Sequence, residues 1–158
     1  MQLLDTREPF TDGDYQALYA FRTDIRRFLS FSEDAARAAG VEPQQHQLLL
    51  LIRATPGPVR IAAIASGLGI RHHTAVGLVD RTVARGLITR EPSETDRRVV
   101  HVLLTPQGEA ILAELSIHHH RELQDVGPAL VRALKSITDG LGEPTARPAL
   151  DRETGAPR

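Results

Sequence analysis

Between Leu87 and Leu104 the hydrophobic period switches from that of a helix to that of a strand and back again. Leu87–Glu91 and Val99–Leu104 alternate apolar and polar residues, and the polar run Pro92-Ser93-Glu94-Thr95-Asp96-Arg97 joins them as a hairpin loop. A lone two-stranded ribbon is marginal in water and must be held by other elements. The rest of the chain has helical spacing, so the fold class it dictates is mainly α with a small β-hairpin.

The flanking helices have readable ends. From Asp12, taken as the N-cap, Tyr15, Leu18, Tyr19, Arg22, Ile25, Phe28, Leu29 and Ser32 recur at i, i+3, i+4, and Gly40 is the stop. Pro43 opens a second helix, in which Leu48–Ile52 is apolar on every side and predicts burial all round. Thr55-Pro56-Gly57-Pro58 ends it. A short helix over Ile61–Leu68 turns at Gly69 into another from about His72 to Arg85, whose apolar stripe is Ala75, Val76, Val79 and Val83. After the hairpin, Thr105-Pro106 caps and starts a helix with Ile111, Leu112, Leu115 and His119 on one face. Gly127-Pro128 reads as its break, with a last helix over roughly Ala129–Asp139.

Helix, tight turn, helix, hairpin is the order of a winged helix-turn-helix, in which the second helix of the pair fits a major groove and the hairpin reaches the neighbouring backbone or minor groove. The domain reading is an irregular extension over 1–11, one domain over 12–140 and a disordered tail over 141–158, which is rich in Pro and Gly. Within the domain the winged element covers about 43–104, and N- and C-terminal dimerisation helices cover about 12–38 and 105–140. The latter have more apolar surface than one small domain can cover, which predicts a homodimer.

Charge agrees. Formal net charge is −1, yet residues 60–98 hold seven Arg against four acids, a local +3. Cysteine is absent, which excludes disulfides, thiolate metal sites and cysteine redox chemistry. No apolar run exceeds five residues, so neither a membrane helix nor a signal peptide fits, and the expected location is cytoplasmic. None of the phosphate-loop, nucleophile-elbow, His-Glu-x-x-His or dinucleotide fingerprints occurs, so no enzyme and no cofactor is expected.

The run Leu78-Val79-Asp80-Arg81, Arg85-Gly86-Leu87, Arg90, Asp96-Arg97-Arg98 and Leu104-Thr105-Pro106-Gln107-Gly108 resembles the MarR family of transcriptional regulators, over about residues 12–140. The resemblance implies a homodimeric winged-helix repressor or activator that binds double-stranded DNA and is often released by a small ligand. Carried over residue by residue, it places Arg71, His72, His73 and Thr74 in the first turn of the recognition helix, with Gly77 and Arg81 further along it. It places Arg97 and Arg98 in the wing, Arg98 entering the minor groove. Asp80 and Asp96 match acidic positions that orient arginines, Asp80 facing Arg81, Arg85 or a wing arginine. The sequence departs from the family pattern at Arg60 and Arg71, which stand at helix-capping positions, at Gly67 and Gly77 within helices, and at Thr82 in the core stripe.

Two further sites follow from the resemblance. Small aromatic effectors bind between the dimer helices and the DNA-binding element, where Phe21, Phe28, Phe31 and His46 would line a pocket; their spacing is equally that of ordinary core. Zinc-sensing members use histidines matching His46 and His119. The chain's remaining metal candidates are His118 and Glu122, whereas Leu115 and Gln45 stand where other ligands would be. His118, His119 and His120 span about 200° of a helix and cannot converge on one ion. The readings open at this point are therefore an effector-controlled DNA-binding regulator, a metal-responsive regulator using histidines, and a winged-helix protein-interaction module without specific DNA binding.

Overall fold

A computed structural model describes residues 10–96 and 98–139. Its elements are α1 (Asp12–Ala38), α2 (Pro43–Ala54), α3 (Ile61–Leu68), α4 (His72–Ala84), β1 (Ile88–Pro92), β2 (Val100–Leu104) and α5 (Pro106–Thr138). The expected extension up to residue 9, the tail over 141–158 and Arg97 lie outside the described residues.

α1 starts one residue earlier than Asp12 predicts. Thr11 is the N-cap: its hydroxyl accepts from the Asp14 N–H at 3.2 Å, and the Asp14 carboxylate accepts from the Thr11 N–H at 2.8 Å. Phe10 packs edge-on against Tyr15, with ring centroids 5.1 Å apart, so a hydrophobic staple accompanies the capping box. Hydrogen bonds from Thr11 hold the Asp14 carboxyl below its usual range.

α2 is not buried all round. Leu48, Leu49 and Ile52 enter the core, but Leu50 is 48% exposed. A twelve-residue helix packed against α3, α1 and the hairpin keeps one flank outward, whatever residues occupy it. Leu51 fills the space that a side chain on Gly67 would take: a Cβ there would lie 2.4 Å from Leu51 Cδ1, so the glycine within α3 admits α2 closely.

The core gathers Leu48, Leu49, Ile64, Leu78, Leu87, Ile88 and Val102 from five elements and the turn before β1. Thr82 sits in it fully buried, its hydroxyl donating to the Leu78 carbonyl at 2.7 Å, so the hydroxyl replacing an apolar group is satisfied within its own helix. Gly69, at φ 63°, supplies the left-handed residue that turns α3 into α4. β1 and β2 pair antiparallel with Ile88 opposite Leu104 and Pro92 opposite Val100, and Val59 adds one bridge to Val102.

The hairpin is fastened to α5. The Thr105 hydroxyl accepts from the Gly108 N–H at 3.1 Å and donates to the Gly86 carbonyl at 2.6 Å, and the Thr105 N–H donates to Leu87 O at 3.1 Å. A Cβ on Gly108 would stand 2.0 Å from Leu87 O, so the closeness of helix to strand requires glycine.

The expected break at Gly127-Pro128 does not occur: α5 runs through it for 33 residues, about 50 Å. Pro128 removes the N–H that would bond to Gln124 O, but Gln124 is exposed and water can serve its carbonyl. The ring of a proline crowds both the N–H and the Cβ of the residue before it. Gly127 has no Cβ, so one of the two clashes is absent. α1 and α5 pack together along their length, yet Tyr15, Tyr19 and Leu29 of α1 and Ile117, Val131 and Leu134 of α5 stay 45–69% exposed. No helix among the described residues is long and apolar enough to cross a membrane.

Candidate nucleic-acid interface

α4 buries Ala75, Leu78, Val79 and Thr82. At 100° per residue, the opposite face is His73, Gly77, Asp80 and Ala84, with Arg81 beside it. The first turn is open. Arg71 is the N-cap, in extended conformation and with no side-chain cap bond, so it leaves the first N–H groups of the helix without a side-chain cap. Arg71, His72 and His73 are exposed, and Thr74 is half-buried. This places four expected contact residues in one turn, and Gly77 and Arg81 follow on the next two.

Asp80 lies within 2.6 Å of Arg90 Nη1, the arginine of β1. Of the partners its position allows, it takes the one in the hairpin, so an ion pair ties α4 to the root of the wing. Arg85 turns away from α4's outer face and donates to the Gly40 carbonyl at the end of α1. Asp96 acts through the backbone: its carboxylate accepts from the Arg98 N–H at 3.0 Å, closing an Asx turn at the wing tip. Ser93 and Thr95 add a second local turn, with the Thr95 N–H donating to Ser93 Oγ at 3.3 Å. Arg98 is exposed on this preformed tip.

The aromatic and histidine candidates separate. His46 and His119 stack in tilted fashion with centroids 4.9 Å apart, and Phe28 and Phe31 meet the His119 ring edge-on at 6.0 and 5.8 Å. His119 Nδ1 donates to the Leu115 carbonyl, which only accepts, and Nε2 is hydrogen-bonded with Ser32 Oγ at 2.6 Å. Burial and, second, the neighbouring His119 push the His46 imidazole below its usual pKa, favouring the neutral ring. Phe21 stands apart, bordering a shallow groove of α1 with Leu18, Arg22, Ile25 and Arg26. His118 is exposed and Glu122 half-buried, and among the described residues no three His, Asp or Glu side chains converge as a metal site. Ser32 was not singled out as a site residue, although a serine in the apolar stripe of α1 is the signal that something polar faces it.

A helix-turn-helix with an open recognition helix, braced to an arginine-bearing hairpin, defines a winged-helix DNA-binding protein. Comparison with known proteins narrows the class. The MarR-family profile matches residues 39–99. A Thauera aromatica protein assigned as the transcriptional regulatory protein for the hcr operon is 30% identical over 120 residues, which are 76% of this chain and 72% of that one. The crystal structure of RV1404 from Mycobacterium tuberculosis aligns with a TM-score of 0.63 at 27% identity, covering 87% of this chain and 99% of that one. The structure of Bordetella bronchiseptica BpsR, whose DNA binding is regulated by 6-hydroxynicotinic acid, aligns with a TM-score of 0.57 at 23% identity over 78% of this chain and 99% of that one. The chain belongs to the MarR family and is a DNA-binding transcriptional regulator.

Proposed function

We propose that the chain works as a homodimer on a pseudo-palindromic operator and is released from it by a small aromatic acid. The observation that carries the DNA part is the outer face of α4, which leaves Arg71, His72, His73 and Arg81 unburied beside a wing tip that presents Arg98. Two such helices related by a two-fold axis would read half-sites about 34 Å apart. The exposed apolar residues of α1 and α5 favour the dimer, since a second copy would cover Tyr19, 69% open to water, and Leu29, 50% open, together with Ile117, Val131 and Leu134.

The effector reading rests on the cluster of Phe28, Phe31, His46 and His119, where aromatic edges stand beside a neutral imidazole. The shared fold of BpsR makes a hydroxylated aromatic acid the class to test first. By binding the form with the wrong spacing of recognition helices more tightly, such a ligand shifts an equilibrium that exists without it.

The test is selection of bound duplexes from a random pool at two salt concentrations, with the full chain. An enriched palindrome with one-turn spacing is expected. Arg98→Ala should weaken binding to every sequence, whereas changes at Arg71 or His73 should alter sequence preference. Equal losses on selected and random DNA for all three variants would refute that division. Salt-sensitive binding without a motif would refute a specific operator.

A further inference from the structure

The centre of α4's outer face is bare. Gly77 has no side chain, Ala84 has only a methyl, and the Asp80 carboxylate is engaged by Arg90. Nothing in the protein demands the glycine. Its φ is not in the left-handed region, and the nearest atom to a Cβ built there is Arg81 Nη1 at 3.5 Å, an ordinary contact. A glycine inside a helix lowers stability relative to alanine, so its presence is unexplained by the free chain. The same distance shows what lies over the gap. Arg81 runs back toward the N-terminal end of its helix, as helical side chains do, and lays its guanidinium across Gly77. Among the described residues Arg81 has no ion-pair partner.

We infer that Gly77 is a clearance for Arg81, and that Arg81 is the residue that determines base preference at the middle of the recognition helix by reading a guanine edge. This rests on the proposed docking of α4 in the major groove. The guanidinium is a planar fork whose paired N–H groups match guanine O6 and N7. With no side chain at 77 the fork can lie flat on the helix surface while the groove floor comes close. A longer residue there would occupy the fork's place and hold the helix off the base pairs.

The experiment uses the full chain and four forms: wild type, Arg81→Ala, Arg81→Lys and Gly77→Leu. Each is put through the random-duplex selection, then titrated on the wild-type site and on a random duplex at one salt concentration. Urea unfolding accompanies each form as a check that it folds. Expected for Arg81→Ala is loss of a guanine at one symmetric position per half-site, the rest of the motif unchanged. Each dimer loses two such contacts, one per half-site, so affinity for the selected site should fall roughly 30-fold or more, twice the free energy of one bidentate base contact. Arg81→Lys keeps the charge but not the planar fork, and should hold random-duplex affinity while weakening the guanine preference. Gly77→Leu should lose the same preference although Arg81 is intact. A motif unchanged by Arg81→Ala overturns the inference and makes Arg81 a phosphate contact, leaving the docking of α4 in place. Selection by Gly77→Leu of the wild-type motif at wild-type affinity overturns the clearance. A wild type that enriches no motif defeats the docking itself, and the inference with it.

Discussion

Replacing Gly108 by alanine should destabilise the protein even though alanine is the better helix former. The new Cβ would sit 2.0 Å from Leu87 O and 3.0 Å from Leu87 C, where ordinary contact begins at 3.4 Å, so the first turn of α5 must retreat by about 1.4 Å. Overpacking of this kind costs about 1–3 kcal/mol. The retreat also stretches the bonds from Thr105 to Gly86 O and Leu87 O, now 2.6 and 3.1 Å, each contributing about 1 kcal/mol. Against these stands a gain of up to about 1 kcal/mol in helix propensity. The net is a loss of about 2–4 kcal/mol, or a fall in Tm of roughly 5–15 °C for a chain of this size. Urea unfolding followed by circular dichroism measures it, at fixed protomer concentration because self-association would shift the midpoint. Gly13→Ala is the matched control: it is also helical, with Thr11 Oγ1 at 3.6 Å as its nearest neighbour, and it should be neutral or stabilising. A Gly108→Ala protein as stable as the Gly13→Ala protein would refute the claim that the glycine is set by the approach of helix to strand.

Two further outcomes follow from the described contacts. His46 is held below its ordinary value by burial and by His119, so the fold favours its neutral form. The unfolded chain then binds more protons once pH drops below the ordinary histidine value of 6.5, and this group's contribution is lost as pH falls from there; the urea midpoint should fall less steeply between pH 7.5 and 5.5 in His46→Gln than in wild type, and parallel slopes would contradict the assignment. The Asp80–Arg90 pair is substantially open to water, so Asp80→Ala should change stability by less than about 1 kcal/mol; because it removes a negative charge beside the docking face and frees Arg90, affinity for random duplex should rise, and an unchanged affinity would place the pair away from the DNA.

Where a structural signal is local, the chain states it plainly. Pro43 opens α2, Ile61–Leu68 forms α3, Gly69 turns it, and Thr105-Pro106 starts α5, because caps and turns are decided within a few residues. The outward residues of α4 were legible for the same reason, since a helix stripe fixes both its inside and its outside. Asp12 lost to Thr11 because several capping side chains lie within one turn, and the box selects the one whose partner stands three residues on. Gly127-Pro128 was misread because each residue breaks a helix alone, and the rule for one does not show that a glycine before a proline removes one of its clashes. Leu50 could not be placed, because an all-apolar run does not say which flank its neighbours leave open. The bond from His119 to Ser32 joins residues 87 positions apart, and the guanidinium over Gly77 depends on a rotamer; neither is written in spacing.

The unbroken α5 has a mechanical consequence. Its first turn is bolted to the strand that carries the wing, through Thr105 and the close seat of Gly108 on Leu87. A rod about 50 Å long multiplies small rotations: a tilt of 5° about its far end carries the near end about 4 Å. That is more than the 3.4 Å step from one base pair to the next. A gap between two helices at Gly127-Pro128 would have absorbed such a tilt, but the continuous helix through it carries the tilt to the wing root, so a small displacement near the C-terminal end moves the hairpin by a full rung of the DNA ladder.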